Sequence, residues 1–158
     1  MNMRQVAAFL QKAPWIVNLA RILWRIRQPK FSAGAVGVVF NAQGQVLLVE
    51  HVFHPYAPWG LPGGWVDRHE SPADTVRREL SEELSLTVEV GALLVADMGY
   101  GNHLDFAYLC QARGPIGRLS QELLAYDWWD LHDLPKLFPF HQHAIQQALT
   151  MMNSSVEL

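Results

Sequence analysis

Three glutamates, Glu79, Glu82 and Glu83, crowd into five residues a short distance beyond a Gly63-Gly64 pair. On an α-helix, spacings of three and four residues bring all three carboxylates onto one face. Like charges that close repel one another, so the stretch is locally unfavourable unless a cation sits among them. A hard divalent cation such as Mg²⁺, which takes oxygen ligands, is the natural partner. The segment therefore reads as a helix with one face packed and the adjacent face holding metal.

The sequence marks the start of this helix. Ser71 is a candidate N-cap, Pro72 suits the first helical position, and Asp74 places negative charge at the positive end of the helix dipole. Ala73, Val76, Leu80 and Leu84 recur at helical spacing and form the expected core face. Upstream, residues 33–40 and 45–50 are apolar and β-branched, and the Asn41-Ala42-Gln43-Gly44 turn between them predicts a hairpin. Prolines and glycines from Pro55 to Gly64 mark an irregular loop. Residues 87–98 and 103–112 read as strands joined through Gly99-Tyr100-Gly101-Asn102. A loop over 114–124 leads to a short strand at 126–131, and residues 133–137 and 139–151 read as helices. The whole predicts one mixed α/β domain over residues 31–158, preceded by a helical extension.

That extension, residues 1–30, is amphipathic. It reads as two short helices or one kinked at Pro14, with Ile16, Leu19, Ile22, Leu23 and Ile26 on one side and Asn18, Arg21 and Arg25 on the other. Packing on its own domain or on the partner of a homodimer is the first account of it. A helix on an anionic membrane surface and an Arg-rich, acid-poor presequence are the alternatives. No acidic residue precedes Glu50, whereas six bases do; from Glu50 onward fifteen acids face six bases. An acidic body binds nucleic acid poorly, because phosphate contacts need lysine and arginine, so no nucleic-acid partner is expected. It still suits a small phosphorylated ligand when metal ions supply the positive charge. The single cysteine, Cys110, excludes an internal disulfide and points to a reducing, cytoplasmic setting. Its apolar neighbours mark it as a buried strand thiol. No apolar run is long enough to cross a bilayer, and no secretory signal is expected.

From Gly64 the chain reads Gly64-x5-Glu70-x7-Arg78-Glu79-Leu80-x-Glu82-Glu83-x-Ser85-Leu86. This resembles the Nudix box, Gly-x5-Glu-x7-Arg-Glu-U-x-Glu-Glu-x-Gly-U with U a bulky aliphatic residue, at eight of its nine specified positions. The preceding Trp59-Gly60-Leu61-Pro62-Gly63 also resembles the family's approach to the box, and the order of strands extends the likeness over roughly residues 32–150. The departure is Ser85, where the family has a glycine suited to a left-handed helix end. Serine in that conformation costs about 1 kcal/mol.

The resemblance implies an α/β/α sandwich around a mixed β-sheet. It also implies a hydrolase that uses Mg²⁺ or Mn²⁺ to cleave a nucleoside diphosphate linked to another moiety. Carried over by position, Glu79, Glu82 and Glu83 are metal ligands and the Gly64 carbonyl is another. Arg78 would orient a helix glutamate, with Glu70 as its ion-pair partner. No general base is assigned. A further acid often comes from a loop before the penultimate strand of the family, and Glu122 occupies a similar place here, with Asp105 and Asp97 as weaker candidates. Trp59, Tyr100 and His54, together with Phe53, Tyr56 and His51, are candidates for substrate contact, since aromatic faces stack on nucleobases. His141 and His143, two residues apart, point to different faces of a helix and make a poor zinc pair.

The ADP-ribose branch of the family often carries a proline some sixteen residues past its box, and none stands around Gly101–His103. A nucleoside triphosphate, oxidised ones included, or a nucleotide sugar is therefore the expected substrate. An ADP-ribose pyrophosphatase and a non-catalytic, nucleotide-sensing Nudix domain are the alternatives.

Overall fold

The computed structural model describes residues 2–52 and 56–154. The chain divides into two compact units, Met1–Lys30 and Phe31–Leu158. In the first, α1 (Met3–Lys12) opens on a capping box: the Asn2 side chain accepts the Arg4 N–H, and the Asn2 N–H donates to Gln5. α2 (Pro14–Arg27) takes Pro14 as its first residue, so the extension forms two helices parted at Ala13. None of the α2 residues is buried; Trp15, Leu19, Ile22, Leu23, Trp24 and Ile26 are all exposed. Among the described residues no helix is long and apolar enough to cross a membrane.

The second unit runs β1 (Ser32–Val39), β2 (Val46–His51), β3 (Trp59–Gly60), β4 (Gly63–Trp65), α3 (Pro72–Leu84), β5 (Val88–Met98), β6 (His103–Ala112), β7 (Leu123–Trp129) and α4 (Pro139–Ser154). Four strands form a mixed sheet in the order β4-β1-β6-β5, with β1 parallel to β6 and antiparallel to β4. Three more form a second sheet in the order β3-β2-β7. Alternate side chains of a strand point to opposite faces, and here they feed two cores. Ala35, Val39, Leu47 and Val49 join Val76, Leu80 and Leu84 of α3. Val38, Val46 and Leu48 join Ala144, Ile145 and Ala148 of α4. One helix therefore covers each face, which is the α/β/α sandwich.

Three local expectations are corrected. The turn at Asn41 forms, with its N–H donating to the Gln45 carbonyl and a single Phe40–Val46 bridge beyond it, but no hairpin follows. β1 and β2 part because each already has both edges paired, β1 by β4 and β6, β2 by β3 and β7. Residues 133–137 form a turn and irregular chain rather than a helix. Pro135 and Pro139 disfavour helical conformation in the residues before them and remove N–H donors. β7 begins at Leu123, earlier than expected, because Leu123 is buried and pairs with His51.

Candidate active site

The helix that bears the acids is built as its sequence suggests. Ser71 caps α3 by accepting the Asp74 N–H at 3.2 Å, and Val76, Leu80 and Leu84 are fully buried while Ala73 is half-buried. Against its open side runs β4. At Gly63, φ is 149° and an added Cβ would stand 2.2 Å from the Ala35 carbonyl oxygen. At Gly64 an added Cβ would stand 2.3 Å from Glu79 Oε1. Only glycine lets this backbone lie against both β1 and a carboxylate.

Arg78 organises one half of the site. Its Nε and Nη2 donate to the two oxygens of Glu70, each at 3.0 Å, a forked pairing. Nη1 donates to Glu79 at 2.8 Å and to Glu82 at 3.2 Å, and Nη2 also reaches the Trp65 carbonyl at 3.1 Å. Glu70 accepts the Thr75 hydroxyl at 2.7 Å as well. The Arg78 and Thr75 hydrogen bonds hold the Glu70 carboxyl down at about 2. The hydrogen bonds of Arg78, to Glu70 foremost and also to Glu79 and Glu82, raise it well above its ordinary value.

The other half is uncompensated. Glu83 is 5% exposed, accepts the Gly63 N–H at 3.1 Å, and lies beyond the hydrogen bonds of Arg78. Burial pushes its pKa up to about 8, and Glu79, Glu122 and Glu82 add to the rise. Burial also raises Glu79, against the pull of Arg78. Glu83, Glu79 and Glu122 share a cleft of about 440 Å³ with Gly64, Arg78 and His51. Glu82, the most exposed of the helix acids, meets Glu79, Glu83 and Glu122 across a second opening of about 320 Å³. The three helix glutamates thus differ sharply in burial although they share one side of α3.

A set of carboxylates with a backbone glycine beside them is all oxygen, and it fits a hard divalent cation. The charge deficit at Glu83 is the observation that supports the fit, because a bound cation would relieve it. The set is not preassembled: among the described residues no three His, Cys, Asp or Glu side chains already converge on one ion position. Arg78 donates to oxygens of Glu79 and Glu82. The residues that would hold an ion are Glu79, Glu82, Glu83, Glu122 and the Gly64 carbonyl.

Other expected contacts fall elsewhere. Trp59 packs edge-on against Trp129, with ring centroids 5.3 Å apart, at the second core cluster and outside the acidic clefts. Tyr100 stands fully exposed at the β5–β6 turn. His54 and Phe53 lie outside the described residues. Tyr56 is exposed, as is Asp97, and Asp105 lies beside the acidic cleft rather than in it. Trp65 and His103, which no sequence feature singled out, and His141, weighed there only as half of a zinc pair, do border the site. Trp65 and His103 meet edge to face at 4.8 Å, and His103 bonds Ser32 at 2.8 Å and Asp105 at 3.2 Å. His141 Nδ1 accepts the Leu61 N–H at 3.2 Å, bracing the approach to the box from α4. These three line a neighbouring hollow of about 210 Å³ that shares Gly63, Gly64, His51 and Trp65 itself with the acidic cleft. Trp65 stood at an unspecified box position, and the other two are brought in only by the folded chain. A separate, mostly apolar cavity of about 400 Å³ near Phe40, Cys110 and Met152 contains none of the clustered acids. Burial pushes the Cys110 thiol there up to about 12, which makes it unreactive.

Comparison with known proteins agrees with this geometry. The NUDIX domain family model matches residues 30–148. A MutT-like protein of Streptomyces ambofaciens is 31% identical over 101 residues, which cover 63% of this chain and 64% of that protein, just under two thirds of it. Two solved structures are also similar. An ADP-ribose pyrophosphatase of Streptococcus suis has a TM-score of 0.64 at 28% identity, covering 79% of this chain and 92% of that one. A MutT NUDIX hydrolase of Burkholderia pseudomallei has a TM-score of 0.67 at 29% identity, covering 75% and 98%. The chain therefore belongs to the Nudix family, whose hydrolases are generally divalent-metal-dependent and act on nucleotide-type small molecules.

Proposed function

We propose that this chain uses Mg²⁺, or Mn²⁺ in its place, to hydrolyse the phosphoanhydride of a nucleoside diphosphate linked to another moiety. One water adds its oxygen to phosphorus and one P–O bond of the anhydride breaks, the bridging oxygen staying on the other fragment and the water's protons going to the product oxygens or solvent, so that a phosphorylated nucleoside separates from its former partner. The observation that supports this best is the buried, uncompensated Glu83 beside Glu79 and Glu122 in an open cleft. A bound divalent ion supplies neutralisation of the phosphate oxygens and a more acidic water. The chain's own residues prepare that chemistry. Gly64 brings backbone against the Glu79 carboxylate, Arg78 sets the orientation of Glu79 and Glu82, and Glu70 fixes Arg78. The Gly63 N–H fixes Glu83.

A nucleoside triphosphate or a nucleotide sugar is the first substrate reading, on the absence of the ADP-ribose-branch proline. ADP-ribose is the second, because the Streptococcus suis relative is an ADP-ribose pyrophosphatase. The test is to incubate the protein with nucleoside triphosphates, nucleotide sugars and ADP-ribose, with Mg²⁺ and Mn²⁺ in turn, and to identify the phosphate products. Pyrophosphate with a nucleoside monophosphate marks a triphosphate substrate, and AMP with ribose phosphate marks ADP-ribose. Binding without turnover of any of them, under either ion, would overturn the hydrolase reading in favour of a nucleotide sensor.

A further inference from the structure

Ser85, the one departure from the box, ends α3 in the left-handed region, at φ 49° and ψ 33°. Glycine would sit there at least cost, and the extra atoms of serine make a contact that glycine cannot. Its Oγ donates to the Arg118 carbonyl at 3.0 Å. Two backbone bonds flank that contact: the Gly117 N–H donates to the Leu84 carbonyl, and the Ser120 N–H to the Glu83 carbonyl, both at 2.9 Å. The last turn of a helix leaves carbonyls without partners, and here the 117–120 stretch uses two of them. Gly117 makes room for the serine, since an added Cβ there would stand 2.8 Å from Ser85 Cβ. The chain then passes directly to Glu122, whose N–H donates to Ser120 Oγ at 3.3 Å and whose carbonyl accepts the Val52 N–H at 3.1 Å. The Glu122 side chain faces Glu79, Glu82 and Glu83 across the second opening.

We infer that Ser85 is a positioning residue, a latch that fixes the 117–122 loop so that Glu122 completes the acid cluster. The left-handed strain of serine and the gain from one hydrogen bond are of the same order and opposite sign. The latch is therefore close to neutral for overall stability, and its effect lies in where Glu122 is held. The inference rests on the reading of Glu122 as a ligand of the bound ion.

The test compares Ser85→Gly, Ser85→Ala and Glu122→Gln in the full chain. Ser85→Ala keeps the Cβ and loses only the hydroxyl. Mn²⁺ binding is measured by titration calorimetry without substrate, loop opening by amide exchange at residues 117–122, and folding by thermal melting. Ser85→Gly is expected to melt close to wild type and Ser85→Ala a few degrees lower, because alanine keeps the left-handed strain without the hydrogen bond; both are expected to exchange faster at 117–122 and to bind Mn²⁺ about tenfold more weakly. Glu122→Gln is expected to lose at least as much, and Ser85→Gly combined with it to lose little more. Wild-type Mn²⁺ affinity in both Ser85 variants, with Glu122→Gln impaired, would overturn the latch and leave Glu122 as a ligand. Wild-type affinity in Glu122→Gln would instead overturn the reading of Glu122 itself, and the latch with it.

Discussion

Glu70 and Glu83 lie near the two ends of one helix, and the protein treats them in opposite ways. Glu70 is gripped by the Arg78 fork and the Thr75 hydroxyl, which draw its carboxyl down to about 2. Glu83 is buried among other carboxylates, where among the described residues only the Gly63 N–H donates to its side chain, and its carboxyl rises to about 8. Both stand in the same motif, yet the first is satisfied from within the chain and the second is not. A buried charge without a partner is strongly unfavourable, so the second region is shaped for a positive charge from outside. The first region is a brace that holds the arginine, and through it Glu79 and Glu82, in place.

Breaking the uncompensated end should have the largest effect. Glu83→Gln is expected to reduce metal-dependent turnover by about 100-fold or more, while the metal-free protein at pH 8 melts no lower than wild type. Steady-state hydrolysis and thermal melts check this; a collapse in melting temperature would make Glu83 part of the brace. Breaking the brace comes next. Arg78→Lys keeps the charge but loses the fork, with turnover expected to fall about 10–100-fold and melting by a few degrees. Equal loss of turnover without any loss of stability would remove the bracing role. Glu70→Gln, which retains an acceptor for Thr75, should cost about tenfold or less in turnover and leave Mn²⁺ affinity nearly unchanged by calorimetry.

The pH dependence of the metal-free protein sharpens the contrast. Glu83 has a folded value of about 8 against an ordinary 4.5, so its contribution to stability is full below about 4.5 and is lost as pH rises through 8. Glu70, at about 2 in the folded chain, contributes fully above 4.5 and loses its contribution as pH falls through 2. Melting temperatures of the metal-free chain should therefore decline by a few degrees between pH 5 and about 8.5. Glu83→Gln should flatten that decline and Glu70→Gln should not. The same slope in both variants would place its origin elsewhere.

Much of the site could be read before the fold was known because it is local. A cap at Ser71, an apolar stripe at Val76, Leu80 and Leu84, and acids at three- and four-residue spacing all belong to one helix, whose geometry is set over short range. Glu122 was within reach for a different reason, its resemblance to the family's distal acid. The partners of β1 and β2 were not legible, since apolar strands next to a turn look alike whether they pair with each other or with β6 and β7. Trp59 was a stacking candidate by residue type alone, and its packing on Trp129 comes only from the fold. His103 had no local signal and His141 only a poor zinc spacing with His143, because their neighbours at the site are distant in the chain.

The amino-acid order by itself determined the acidic helix, its cap, its buried stripe and its glycine approach, since each depends on interactions within a few residues. Tertiary structure decided which of those acids is neutralised and which is left in deficit. Burial under two sheets, the reach of Arg78 and the arrival of the Glu122 loop are long-range facts, and the charge state of a carboxylate depends on all of them at once.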